Sequence, residues 1–160
     1  MYKVRIILDT KEDVIRTITV NNSINLEELH FIIAKSFGFN GQEMASFYRS
    51  DNEWNQGEEI PLFNMSEFGN ELSMSTCLLN ETLPNKEDKL IYVYDFFSMW
   101  TFYVEVIELS NEDIDKPTLI LSVGDIPDKA PEKEFIAENN EDAFSDEEFD
   151  SFEDYDFDNY

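Results

Sequence analysis

Apolar and polar side chains take turns along the first residues of the chain. Tyr2, Val4, Ile6 and Leu8 stand against Lys3, Arg5, Ile7 and Asp9, the period of two that a half-buried strand shows. The polar "TKED" reads as a turn, and the β-branched run "VIRTITV" after it as a second strand. Together they predict an N-terminal hairpin. The period then changes: Leu26, Leu29, Ile33 and Phe37 recur every three or four residues, which places them on one face of a helix. Asn25 stands at its start with Glu28 three residues on, the pairing of a capping box. Gly38 can take the left-handed conformation that ends helices.

Beyond the helix, "MASFYRS" reads as a short strand and "DNEWNQGEE" as a polar loop; "IPLFNMSEF" and "STCLLNETL" each suit a short helix or turn. Leu90–Phe96 and Met99–Leu109 predict two strands joined near Phe97-Ser98. Leu90–Val93 is apolar on both faces, as an interior strand is. A two-residue turn at Phe97-Ser98 would set Asp95 opposite Trp100 and Val93 opposite Phe102, with Phe102 the diagonal neighbour of Asp95. Such a turn ordinarily needs Gly or Asn, so a longer loop, a bulge or strain is the alternative. "TLILSV" supplies a last short strand, and no internal repeat is visible. Strands interrupted by one main helix predict an α+β domain.

Composition changes this picture mainly after Gly124. "DIPDKAPEKEF" carries two prolines and mixed charge, and marks a linker or extended arm. Residues 138–160 hold eleven acids and no Lys or Arg, leaving 25 acids against 11 bases before them. The chain therefore divides into an α+β domain over 1–126, a linker over 127–137 and an acidic tail over 138–160. The tail is expected to be disordered. Phe144, Phe149, Phe152, Tyr155, Phe157 and Tyr160 are spread among its acids, a pattern of segments that offer aromatic anchors to a partner; a merely solvating tail is the plainer reading.

A formal charge of −25 repels nucleic acid and anionic membrane and favours a basic protein partner. No direct nucleic-acid binding is expected, since bases are sparse and unclustered. Leu90–Val106 is too short and too interrupted, by Asp95, for a membrane span. With no apolar leader at the N-terminus and Cys77 the single cysteine, a cytoplasmic protein is expected. One His and one Cys cannot build an ordinary zinc site. Asp51, Glu53 and Asn55 alternate as in a calcium loop, but Gln56 and Leu62 stand where Gly and Glu are needed. No metal or cofactor is expected. His30 has Leu26, Ile33 and Ala34 as its helical neighbours, on or beside the apolar face, where a core-edge histidine hydrogen-bonded to a backbone carbonyl or a carboxylate is the plainer alternative to a catalytic base.

Tyr94-Asp95-Phe96 followed by Trp100 resembles the signature Tyr-Asp-Phe-Gly-Asp-x-Trp-x-His of the Ri-plasmid open-reading-frame-three-like family, whose members are often labelled passengers of a transposable element. "VIRTITV", with Arg16, is similar to the family's Val-Trp-Arg-x-x-x-Val. Leu26, Leu29, His30 and Gly38 match its Leu-x-x-Leu-His helix ending in Gly-aromatic, and Gly124, Pro131 and Glu132 resemble a later Pro-rich segment. The likeness runs from Met1 to about Glu132. It implies a β-grasp-like mixed sheet with one main helix and short additional ones, and brings no established reaction. Asp95, Trp100, Tyr94, Arg16 and His30 become the signature or structural-polar candidates. The signature's Gly, Asp and His fall at Phe97, Ser98 and Phe102, so any acid/base or metal pair across the hairpin is lost here. Asp95 is then a structural acid, bonded to turn amides or paired with Arg16 or His30.

Three functions follow as expectations. The first is a non-enzymatic interaction or regulatory module presenting an acidic surface and tail to a basic protein. The second is an accessory protein of mobile-element or nucleic-acid metabolism acting through a DNA-binding partner. The third is an enzyme with a site around Asp95, Ser98 and His30.

Overall fold

The structure, a computed structural model, describes residues 1–63 and 72–130. They lie in one compact unit, Met1–Ala130, and residues 131–160 are outside the described residues. The tail aromatics from Phe144 to Tyr160 and the end of "IPLFNMSEF" therefore fall outside them.

Among the described residues seven strands make one sheet: β1 (Tyr2–Leu8), β2 (Ile15–Val20), β3 (Ala45–Ser50), β4 (Gln56–Pro61), β5 (Lys89–Tyr94), β6 (Trp100–Leu109) and β7 (Thr118–Val123). Their order is β4-β3-β5-β6-β1-β2-β7. The class is α+β, as expected. All six pairings are antiparallel, so the sheet is not of the mixed kind that the β-grasp likeness implied. The reason lies in the connections: three hairpins supply three pairs, and the crossover through the main helix carries β2 to β3 without making them neighbours.

That helix, α1 (Leu26–Ser36), begins with the capping box of Asn25 and Glu28 and ends before Gly38, whose φ is +89°. Its buried side chains, Leu26, Leu29, His30, Ile33 and Ala34, belong to the same core as Val4, Ile6, Ile18, Phe47, Tyr92, Phe102 and Val104. "STCLLNETL" resolves into a 3₁₀ turn at Met74–Thr76 and a one-turn helix, α2 (Leu79–Thr82). The Tyr2 hydroxyl donates to the Leu83 carbonyl at 2.7 Å and pins the end of α2. Cys77 is free and buried.

The other sheet face is held by cross-strand charges. Arg5 meets Glu105 at 2.8 Å, Lys89 meets the same carboxylate at 3.4 Å, and Lys3 meets Glu108 at 2.9 Å. Trp54 packs on Tyr103 with ring centres 5.0 Å apart, and Lys89 lies over the Trp54 ring. Trp54 belongs to the expected polar loop, which is shorter than its sequence implies because Gln56–Pro61 pairs with β3 as an edge strand. That strand shows no alternation since four of its six residues are exposed; backbone pairing, not burial, makes it. In the loop, the Asp51 carboxylate accepts bonds from the Glu53 and Asn55 amides and the Asn55 side chain, each at 2.9 Å.

Candidate functional site

The β5–β6 hairpin carries most of the signature. Tyr94 lies opposite Trp100 and Tyr92 opposite Phe102, one residue out of step with a two-residue turn. The loop has five residues, Asp95 to Met99, and closes without glycine because Asp95 (φ +64°) and Met99 (φ +60°) take the left-handed conformation. Asp tolerates that region better than most residues. The Met99 amide donates to the Asp95 carbonyl at 2.6 Å, the Phe97 amide to the Asp95 carboxylate at 3.1 Å, and the Asp95 amide to the Met44 carbonyl at 2.7 Å. Asp95 is thus the structural acid of a turn. It is bonded to a turn amide rather than paired with Arg16 or His30, because the register places it in the loop and not on the core face.

Trp100 and Tyr94 meet around Phe39. The Phe39 ring stacks on Tyr94 at 4.7 Å and tilts against Trp100 at 5.2 Å. Phe39, Phe97, Ser98 and Trp100 line an open hollow of about 490 Å³ together with Asp128, Lys129 and Ala130. Phe97 is 98% exposed, so an aromatic side chain stands in solvent at the rim of an aromatic groove. Phe39 was missed in the sequence; its signal was the Gly-aromatic step after α1.

Behind Tyr94 a polar network enters the core. The Tyr94 hydroxyl donates to Asn40 Oδ1 at 3.2 Å and accepts from the Gly41 amide at 3.1 Å. Gly41 has φ +77°, and a Cβ there would stand 2.8 Å from the Phe31 ring, so this close turn requires glycine. His30 Nδ1 and the Tyr92 hydroxyl are 2.6 Å apart. His30 is fully buried, and its pKa is lowered to about 4, chiefly by burial, with the Gly41 backbone opposing the shift. Burial likewise raises the Tyr92 hydroxyl well above its ordinary range. At neutral pH both partners are uncharged. His30 is thus a hydrogen-bonded histidine, but it lies in the core and not at its edge, and its partner is a tyrosine hydroxyl instead of the expected backbone carbonyl or carboxylate.

Arg16 lies elsewhere. Its guanidinium donates to the Ser36 carbonyl at the end of α1 (2.9 Å), to Ile15 (2.9 Å) and to Val123 on β7 (3.0 Å), and covers the Phe37 ring at 4.8 Å. It ties helix, β2 and β7 together. The structure therefore brings Tyr94 and Trp100 together around Phe39, sets His30 beside Tyr94 with ring centres 6.1 Å apart, and leaves Asp95 in the turn and Arg16 at another corner. That hollow is lined by Ser98 but by neither Asp95 nor His30.

The family model described as "Plasmid pRiA4b ORF-3-like protein" matches residues 1–152, which extends the likeness well past Glu132 into the acidic segment. No curated protein matches the chain. Among solved structures, the crystal structure of MM3350, a protein of unknown function from Methanosarcina mazei Go1, is similar at a TM-score of 0.59 and 19% identity. The match covers 76% of this chain and 68% of that one, and shows a shared fold. Among the described residues no helix is long and apolar enough to cross a membrane.

Proposed function

The chain belongs to the plasmid pRiA4b ORF-3-like family, and on that footing we propose that it is a non-enzymatic interaction module for a basic protein. One observation carries the reading. Asp128, Lys129 and Ala130 are among the residues that line the aromatic hollow, and the acidic-aromatic segment follows a few residues later in the chain. An aromatic anchoring point and a segment with eleven acids thus stand close together in the sequence. An exposed Phe at a groove's rim has no packing role to explain it, and exposed aromatics are typical anchors of partner recognition. The acids supply attraction and steering for a cationic surface. A basic DNA-binding protein is one partner of this class, and the chain would then reach nucleic acid only through it.

The test is titration calorimetry with an arginine- and lysine-rich peptide bearing one central Trp. Affinity is expected to fall steeply between about 50 and about 300 mM salt, and about tenfold on ending the chain at Ala137 or on Phe97→Ser. Equal binding by both variants and the full chain would refute the proposal.

A further inference from the structure

The two edges of the sheet are built differently. β4, at one edge, carries Glu58, Glu59 and Pro61, devices that discourage further strand pairing. β7, at the other, is "TLILSV", with no charge and no proline. Leu119, Ile120, Leu121 and Val123 are 46%, 47%, 48% and 38% exposed, and all six residues of the strand are exposed. β7 thus gives the core none of its side chains.

It is nevertheless fixed at both ends. Before it, Asn21 clasps Ile114 through two bonds, donating to its carbonyl at 2.8 Å and accepting from its amide at 3.2 Å. After it, Arg16 holds the Val123 carbonyl, and Gly124 passes so close to Asp13 that a Cβ would stand 2.1 Å from the Asp13 carbonyl oxygen. One side of β7 pairs with β2, with a register shift at Ile120. Its outer side has no strand partner among the described residues. A strand anchored by dedicated contacts, while its own apolar side chains stay in solvent, has the form of a template for another strand.

Charge selects the occupant. Glu112, Asp113 and Asp115 precede β7 and Asp125 and Asp128 follow it, five acids against Lys116 and Lys129 along the chain and Arg16, whose guanidinium is engaged by backbone carbonyls. A second copy paired antiparallel would bring one acidic end against the other, and each chain carries −25. The chain's own residues 138–160, with eleven acids and no Lys or Arg, are repelled in the same way. We infer that β7 receives, as an eighth strand, an extended apolar segment of another protein with Lys or Arg at both its ends. This rests on the basic partner proposed above but places it on a different surface, so either can fail alone.

The probe is a nine-residue peptide with a Val/Thr core and two lysines at each end, added to the full chain. Two controls accompany it: the same core with glutamates at its ends, and the lysine peptide N-methylated at alternate amides. Binding is followed by fluorescence polarisation and by amide hydrogen exchange. The lysine peptide is expected to bind about tenfold or more tightly than either control, and to slow exchange within Thr118–Val123. Leu121→Lys should weaken it about tenfold, and at an exposed position that change should leave the thermal melt in place. The lysine-ended binding of the wild-type chain decides the matter even if that variant does not fold. Equal binding by the N-methylated peptide would overturn the inference, as would equal binding by the glutamate peptide. So would protection at Phe39 and Trp100 instead of β7, or a concentration-dependent dimer that protects β7 without peptide.

Discussion

Arg16 and His30 are both basic, both buried in a strongly acidic protein, and both touch α1. They are accommodated in opposite ways. Arg16 cannot give up its proton, so the fold surrounds it with three backbone carbonyls and an aromatic face. His30 can, and the fold gives it a single hydroxyl at 2.6 Å while burial suppresses its charge. Neither is paired with a carboxylate in these bonds, although the chain holds 36 of them. Surface charge does not decide the chemistry of the interior; the local supply of acceptors does.

Removing the arginine should have the larger effect. Arg16→Leu leaves carbonyls on α1, β2 and β7 without their donor and is expected to cost about 3–4 kcal/mol in chemical denaturation. Arg16→Lys should recover less than half, since one ammonium lacks the guanidinium fork. Full recovery by Lys would mean that charge alone matters there, and the contrast with His30 would weaken.

The histidine is tested by pH. Its folded pKa, about 4, lies below the ordinary 6.5, so between those values the unfolded chain binds a proton that the folded one refuses. Stability from this source is complete above pH 6.5 and is lost as pH falls towards 4, by about 3 kcal/mol. Comparing denaturation of wild type and His30→Gln across that window isolates the effect from the carboxylates. Parallel curves would show that His30 takes up its proton in the fold and resembles Arg16 after all.

Asp95 gives the smallest effect and a third kind of charged group, one held by a turn amide. Asp95→Asn preserves both the acceptor and the tolerance of positive φ. It should leave the melt within about 0.5 kcal/mol. A loss of about 2 kcal/mol or more would reveal a cationic partner.

What was legible in the sequence was local. The capping box at Asn25 and Glu28, the stop at Gly38 and the alternation of β1 are decided within a few residues. The apolar run at Leu90–Val93 announced an interior strand, and Ile91 and Val93 are indeed buried on the face away from Tyr92. The hairpin register was not legible, because Asp95 and Met99 adopt a conformation usually reserved for glycine. β4 was hidden because its pairing leaves no apolar period. The groove was half visible: Trp100 and Tyr94 stood in a motif, but Phe39 comes from 55 residues before Tyr94 in the chain, and only the tertiary fold brings them together. Strand order likewise depends on partners far apart, which no local pattern encodes.

The middle of the sheet has a consequence for how the protein is made. β1 pairs with β6, and the Arg5–Glu105 contact spans 100 residues of chain. At about 5–20 residues per second of synthesis, the first hairpin exists for roughly 5–20 s before its second partner has been translated. Over that interval β1 has an open edge and an uncovered apolar face. Closing such distant pairings also makes for slow folding. The nascent chain therefore passes through a stage in which its first twenty residues present an unpaired strand edge and an apolar face, the kind of surface that a holding chaperone covers.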